Sequence, residues 1–205
     1  MQKFISSFSY IFHPLFVPVY ATIFYFFIAH NYFYHHEIYL VFVQVLILTV
    51  LLPLSLFYLL RSLGLIRSKI MLDKKERRLP LAFYALLLFM LIKHSFSNFT
   101  VPELYYYFTG MLISTIVALA LILFSHKASL HMMAIASLTV FIISISIYYR
   151  AAFIPLISFL TLCAGFVASS RLQAKAHSIS ELLLGTLIGI LPQVGLWYFW
   201  LLPSL

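Results

Sequence analysis

Charge is what this chain has least of. Of its 205 residues only 9% are Asp, Glu, Lys or Arg, against 64% hydrophobic ones. A soluble domain carries roughly 25% charged residues, and a globule of this length buries only about 70% of the surface its unfolded chain exposes. The remaining surface needs polar cover that is missing here. A soluble enzyme and a disordered tail are thereby excluded. Cysteine is almost absent as well: Cys163 stands alone, which excludes a disulfide scaffold, and in its apolar run it reads as packing. There is no internal repeat, no low-complexity tract and no polar stretch long enough for a soluble domain. No small-residue cleavage site follows the apolar stretch after Lys3, so that stretch is expected to be a retained first span and not a signal peptide.

What remains is Leu, Ile, Phe and Tyr in long runs. The expected fold is all-α: a polytopic transmembrane bundle forming one integral membrane domain over residues 1–205, with lipid as its solvent. A span needs about 20 mostly apolar residues. Seven segments qualify, over about Pro14–Phe33, Ile38–Leu60, Pro80–Phe96, Leu104–Phe124, Ser129–Tyr148, Ala151–Ala168 and Glu181–Trp200. Six cross if the first is re-entrant or the short third lies at the interface. Pro53 should kink the second span, and Pro80 should open the third, where its missing N–H costs nothing. Tyr105, Tyr106 and Tyr107 read as an interfacial aromatic belt.

The scarce charge is positive and gathered. Lys plus Arg is 13 and Asp plus Glu is 5, a net charge of +8. A nucleic-acid binder would spread its charge over a hydrated surface, so nucleic acid is not the expected partner. Anionic lipid or a phosphorylated substrate fits better. Three polar segments follow the second, fourth and sixth spans. Even numbers of crossings separate them, so all three should emerge on one face with the N-terminus. Lys3, Arg61, Arg67, Lys69, Lys74, Lys75, Arg77, Arg78, Lys127, Arg171 and Lys175 belong to that face, leaving only Lys93 and Arg150 for the other. The positive-inside rule places the basic face in the cytoplasm.

The third of these segments runs from Ser170 to Glu181. If the turn does not end at Ser178 or Ser180, His177 and Glu181 lie four apart on the start of a helix and share one face. A carboxylate on one imidazole nitrogen fixes the tautomer and frees the other nitrogen as a base or nucleophile. Arg171 adds a planar fork for phosphate oxygens. The bland reading is an interfacial loop whose basic residues bind lipid headgroups. In the second segment, Ser129 and His131 read as an N-cap and a crevice histidine, or as chemistry. The first segment, Asp73 to Pro80, reads alone as a headgroup anchor.

Together the three carry a resemblance. Ser170-Arg171-x5-His177-x3-Glu181 resembles the third signature of the type 2 phosphatidic acid phosphatase superfamily, the lipid phosphate phosphatases, with Glu in place of Asp. That family's Pro-Ser-Gly-His is represented by Ala128-Ser129-Leu130-His131, which keeps only the Ser and the His. Its Lys-x6-Arg-Pro is represented by Arg78-Leu79-Pro80; no Lys stands seven before Arg77 or Arg78, and Lys69, Lys74 or Lys75 would substitute. The resemblance covers about Lys69 to Glu181, within a site-bearing core of about 61–200. The chain looks like a divergent, compact bacterial member, which implies the bacterial inner membrane.

The resemblance implies a lipid phosphate or pyrophosphate substrate drawn from the bilayer. His177 would be the nucleophile and form a phosphohistidine, Glu181 would orient it, and His131 would serve the leaving oxygen and then water. Arg171, Arg77 or Arg78, one of Lys69, Lys74 and Lys75, Ser129 and Ser170 would hold the phosphoryl oxygens. No metal or cofactor is implied. A metal site of His126, His131, His177 and Glu181 is disfavoured because no segment carries a helical His-x3-His pair. A non-catalytic lipid-binding or lipid-moving protein is the alternative on the same scaffold. His13, His30, His35, His36, His94 and His126 read as interfacial. Gln193 is expected to bond a backbone carbonyl freed at Pro192 or to line a groove.

Overall fold

The computed structural model describes residues 2–66, 74–96 and 101–201. Nine α-helices are present among them: α1 Gln2–Ile11, α2 Val17–Ala29, α3 His35–Leu46, α4 Leu52–Ser62, α5 Lys74–Ser95, α6 Pro102–Leu123, α7 Leu130–Tyr148, α8 Ile154–Gln173 and α9 Ile179–Leu196. No strand occurs among the described residues. Six stretches are long and apolar enough to cross a membrane: His35–Ser62, Glu76–Ser95, α6, α7, α8 and Ile179–Phe199. The chain is a multi-pass helical membrane protein.

The first expected span differs in form. Helix α2 has 13 residues, about 20 Å at 1.5 Å per residue, against roughly 30 Å of hydrocarbon. It nevertheless runs the depth of the bundle. His13, just before it, meets His131 at the start of α7, and Tyr25 near its far end bonds Glu103 at the start of α6. A 3-10 turn, His30–Tyr32, extends it, and that form rises about 2.0 Å per residue. Eight of its residues are buried in protein, so lipid thickness does not set its length.

Two prolines shape their helices, and the second departs from expectation. A π-helical turn at Ile47–Leu51 joins α3 to α4, just ahead of Pro53. The proline ring crowds the carbonyl four residues back, and a widened turn relieves the clash. Pro80 does not open its helix but lies inside α5. Lys, Glu and Arg are good helix formers, and membrane helices tolerate proline where neighbours satisfy the freed backbone. The result is that Arg77 and Arg78 sit on a helix and not in a loop.

Helix α7 is central, packing on α9, α8, α6 and α2. Its seam with α9 is backbone against backbone. A Cβ on Gly185 would strike the Ser129 carbonyl oxygen, and one on Gly189 would strike that of Met133. Small residues four apart permit this approach in membranes. Ser137 Oγ donates to the Gly189 carbonyl at 3.0 Å, and Ser114 Oγ donates to that of Ile188 at 2.8 Å. Gln193 spans the gap to α6, its Nε2 donating to the Tyr107 carbonyl at 2.9 Å. The expected tyrosine belt is only partly a belt. Tyr107 is buried against Phe141, because successive helix residues point about 100° apart and three cannot share a face.

Candidate functional site

The site grows from the start of α9. Ser178 is its N-cap: Ser178 Oγ accepts from the Glu181 N–H at 3.3 Å, and the Glu181 carboxylate reaches back to the Ser178 N–H at 3.4 Å. This reciprocal capping box satisfies donors that a helix start leaves open. His177 therefore precedes the helix and is not part of it. The turned-back Oε2 of Glu181 also accepts from His177 Nδ1, at 2.7 Å. A carboxylate only accepts in this geometry, so the proton is on Nδ1, and Nε2 is the free nitrogen. The longer Glu, where the resembled family has Asp, is the residue a capping box requires at this position.

Two other segments close on this one. The Ser129 N–H donates to the Glu181 carbonyl at 3.0 Å, and Lys127 Nζ donates to the Ala176 carbonyl at 2.7 Å. Ser129 is fully buried and caps α7, its Oγ accepting from the Met132 N–H at 3.4 Å. The expected phosphate donor thus already has a structural bond. His131 follows in the first turn of α7, within electrostatic range of His13, Arg171 and His177.

The N-terminal helix supplies what the sequence reading missed. Ser9 Oγ donates to Ser170 Oγ at 2.6 Å, and Phe8 stacks on Phe166. The Ser9 carbonyl accepts from His131 Nε2 at 3.2 Å. His13, set aside as interfacial, is half-buried with its ring edge-on to His131 at 5.2 Å. The usable signal was the Phe12-His13-Pro14 step into an apolar segment, where a histidine is costly unless partnered. Exposed His30, His35, His36, His94 and His126 fit the interfacial reading.

Cations surround the histidines. Arg77 is buried and interacts with Glu181 and Arg171. Arg78 and Arg171 each bury an Nε donor with no hydrogen-bond partner among the described residues. Lys69 lies outside the described residues, as do the side chains of Lys74 and Lys75. Among the described residues no three His, Cys, Asp or Glu side chains converge as a metal-ligand set.

Burial tunes the two histidines that lie between spans. It holds His177 well below the ordinary histidine value against the upward pull of the Glu181 bond, with Arg77 and Lys127 pushing the same way as burial. Burial, helped by Arg171, holds His13 down at about 4. Both imidazoles are neutral at neutral pH, as an imidazole nucleophile must be.

No family model, curated protein or solved structure matches the chain.

Proposed function

We propose that this protein is a membrane-embedded phosphatase that removes a phosphoryl group from a lipid phosphate or pyrophosphate by way of a phosphohistidine. The observation that carries the reading is the 2.7 Å bond from His177 Nδ1 to Glu181, which turns a neutral, buried Nε2 into the available nucleophile. Arg77 and Lys127 act on the same imidazole, and Arg171 acts on His131 and His13.

The chemistry balances in two steps. His177 Nε2 forms a bond to phosphorus as the bond from phosphorus to the lipid oxygen breaks, and protonated His131 gives that oxygen its proton. Water then attacks phosphorus, the N–P bond breaks, His131 takes the water proton, and phosphate leaves. Arg77, Arg78 and Arg171 stabilise the charge on the equatorial oxygens, which is the main work in phosphoryl transfer. Phosphatidic acid, phosphatidylglycerol phosphate and undecaprenyl pyrophosphate all have a tail for the bilayer and a headgroup for the basic end.

Phosphate release from these three lipids with EDTA present, comparing wild type with His177→Ala, tests the mechanism. Release that resists chelation and disappears in the variant is expected. Activity surviving the substitution sinks it. The lean is to the bacterial inner membrane with the site on the cytoplasmic side, by the excess of basic residues there. Thiol labelling from each side at Ser125→Cys and Tyr34→Cys, both exposed and at opposite ends, decides sidedness.

One observation favours the non-catalytic lipid-binding alternative. His131 Nε2 is engaged by the Ser9 carbonyl, which leaves only Nδ1 for acid–base work. This second reading expects lipid phosphate binding with no release of phosphate and no effect of His177→Ala on phenotype.

A further inference from the structure

The opposite end of the bundle holds a second polar cluster that phosphoryl transfer leaves unused. Glu103, in the first turn of α6, is only 5% exposed. Both of its oxygens accept from tyrosines: Tyr25 donates to Oε2 at 3.0 Å and Tyr149 to Oε1 at 2.9 Å. Burial, with Glu103 next, raises the Tyr149 pKa, so that hydroxyl keeps its proton and stays a donor. Among the described residues no cation lies within ion-pair distance of Glu103. Burying a carboxylate without a counter-charge is expensive, and such groups within a membrane bundle mark ligand or ion sites. The positive end of α6 helps an acidic residue there, but it would help an exposed one as well and does not account for burial.

Beside the carboxylate opens a cavity of about 330 Å³, walled by Tyr25, Tyr32, Phe33, Tyr148 and Tyr149. Five aromatic rings, one carboxylate and no basic side chain make a poor anion site. They make a poor small-metal site too, since hard cations want six or more oxygen ligands. Ring faces are negative and attract cations, best those that shed water easily, and cages of this kind recognise quaternary ammonium groups.

We propose that this open cavity binds an organic ammonium group, with Glu103 opposing its charge and the aromatic rings lining it. The site stands apart from the proposed phosphatase chemistry and survives its failure. Its ligand is the ammonium of an ethanolamine or choline lipid headgroup, or a free amine of the same chemistry.

Calorimetric titration of the purified full-length protein with tetramethylammonium chloride tests the proposal, with potassium chloride as the control. Saturable binding of tetramethylammonium alone is expected. Glu103→Gln, which keeps size and removes charge, should weaken it by about tenfold or more. Tyr32→Ala should weaken it as well, and Tyr32 is 76% exposed, so this variant leaves the interior intact if Glu103→Gln does not fold. Competition by nanodiscs of phosphatidylethanolamine but not of phosphatidylglycerol assigns the lipid headgroup, and competition by soluble ethanolamine alone assigns a free amine. Either result supports the site. Absence of saturable binding overturns it, and so does unchanged affinity in the folded variants.

Discussion

The ring of His13 meets that of His131 edge-on, with centroids 5.2 Å apart and planes at 84°. His13 belongs to the bend between α1 and α2, and His131 to the first turn of α7. The contact makes the N-terminal segment part of the candidate site. Arg171 lies within electrostatic range of both rings, and a proton on His13 is opposed by burial first and by Arg171 second.

That opposition should show in stability against pH. His13 takes a proton near 6.5 in the unfolded chain and at about 4 in the folded one. Between those values the unfolded state binds more protons, so stability falls as pH drops through the window and is indifferent above it. His177 is displaced in the same direction. The thermal midpoint in detergent should be level above pH of about 7 and decline from about 6.5 toward 4. His13→Asn should flatten part of that decline. An identical slope in the variant would remove His13 from the buried cluster.

Glu181 has two duties, and two substitutions separate them. Glu181→Gln keeps the length but loses the charge that holds the His177 proton on Nδ1. On the proposed mechanism it should cost about 10²- to 10⁴-fold in kcat, the range for positioned acid–base groups. Glu181→Asp keeps the charge but is one methylene short of the Ser178 N–H, so it should lose capping stability of about 1 kcal/mol. Equal kcat in wild type and Glu181→Gln, measured by phosphate release, would contradict the assigned role.

The seam between α7 and α9 predicts a contrast between glycines. Gly185→Leu drives a side chain into the Ser129 backbone, which cannot rotate away. Overpacking costs typically 1–3 kcal/mol, and this site should reach at least about the upper value. Gly165→Leu, on α8, meets nothing within 4 Å and should be nearly neutral. Thermal unfolding of the two purified variants gives the comparison. Equal midpoints would mean the seam is looser than described.

The buried pair Ser9–Ser170 should behave non-additively. Ser9→Ala or Ser170→Ala each leaves one buried hydroxyl without its 2.6 Å partner, a loss of about 1–3 kcal/mol. Changing both removes the orphan as well as the bond, so the double variant should lose less than the two single losses added. A double-mutant cycle in denaturant measures the coupling, and a coupling of zero would mean that α1 is not held on α8 through this bond.

Lipid is an unforgiving solvent, and that made the spans legible. A run such as Leu104–Phe124 can only be a membrane helix, and α6 covers Pro102–Leu123. The pairing of His177 with Glu181 was legible from spacing, but its cause was misjudged. A capping box, visible as Ser178-x2-Glu181, makes the bond, and a shared helix face does not. Helix α1 was not legible because ten residues form a marginal helix alone, and its support is α8, more than a hundred residues away. The meeting of Glu103 with Tyr25 and Tyr149 was hidden for the same reason: three segments far apart in sequence make it. Pro80 misled because the proline rule for helix starts ignores helix-forming residues upstream of it.

Where α7 and α9 touch through bare backbone, no layer of side chains is left to slide. His131 and Glu181 ride on that pair, and the Ser129 N–H bond to the Glu181 carbonyl rivets their ends together. Helix α1 meets the same region through a serine pair, a ring stack and one carbonyl. Each of these contacts runs through side chains or a single carbonyl and not through bare backbone pressed on backbone. Between the three segments that meet at the histidines, α7 with α9 is the anvil on which α1 rests.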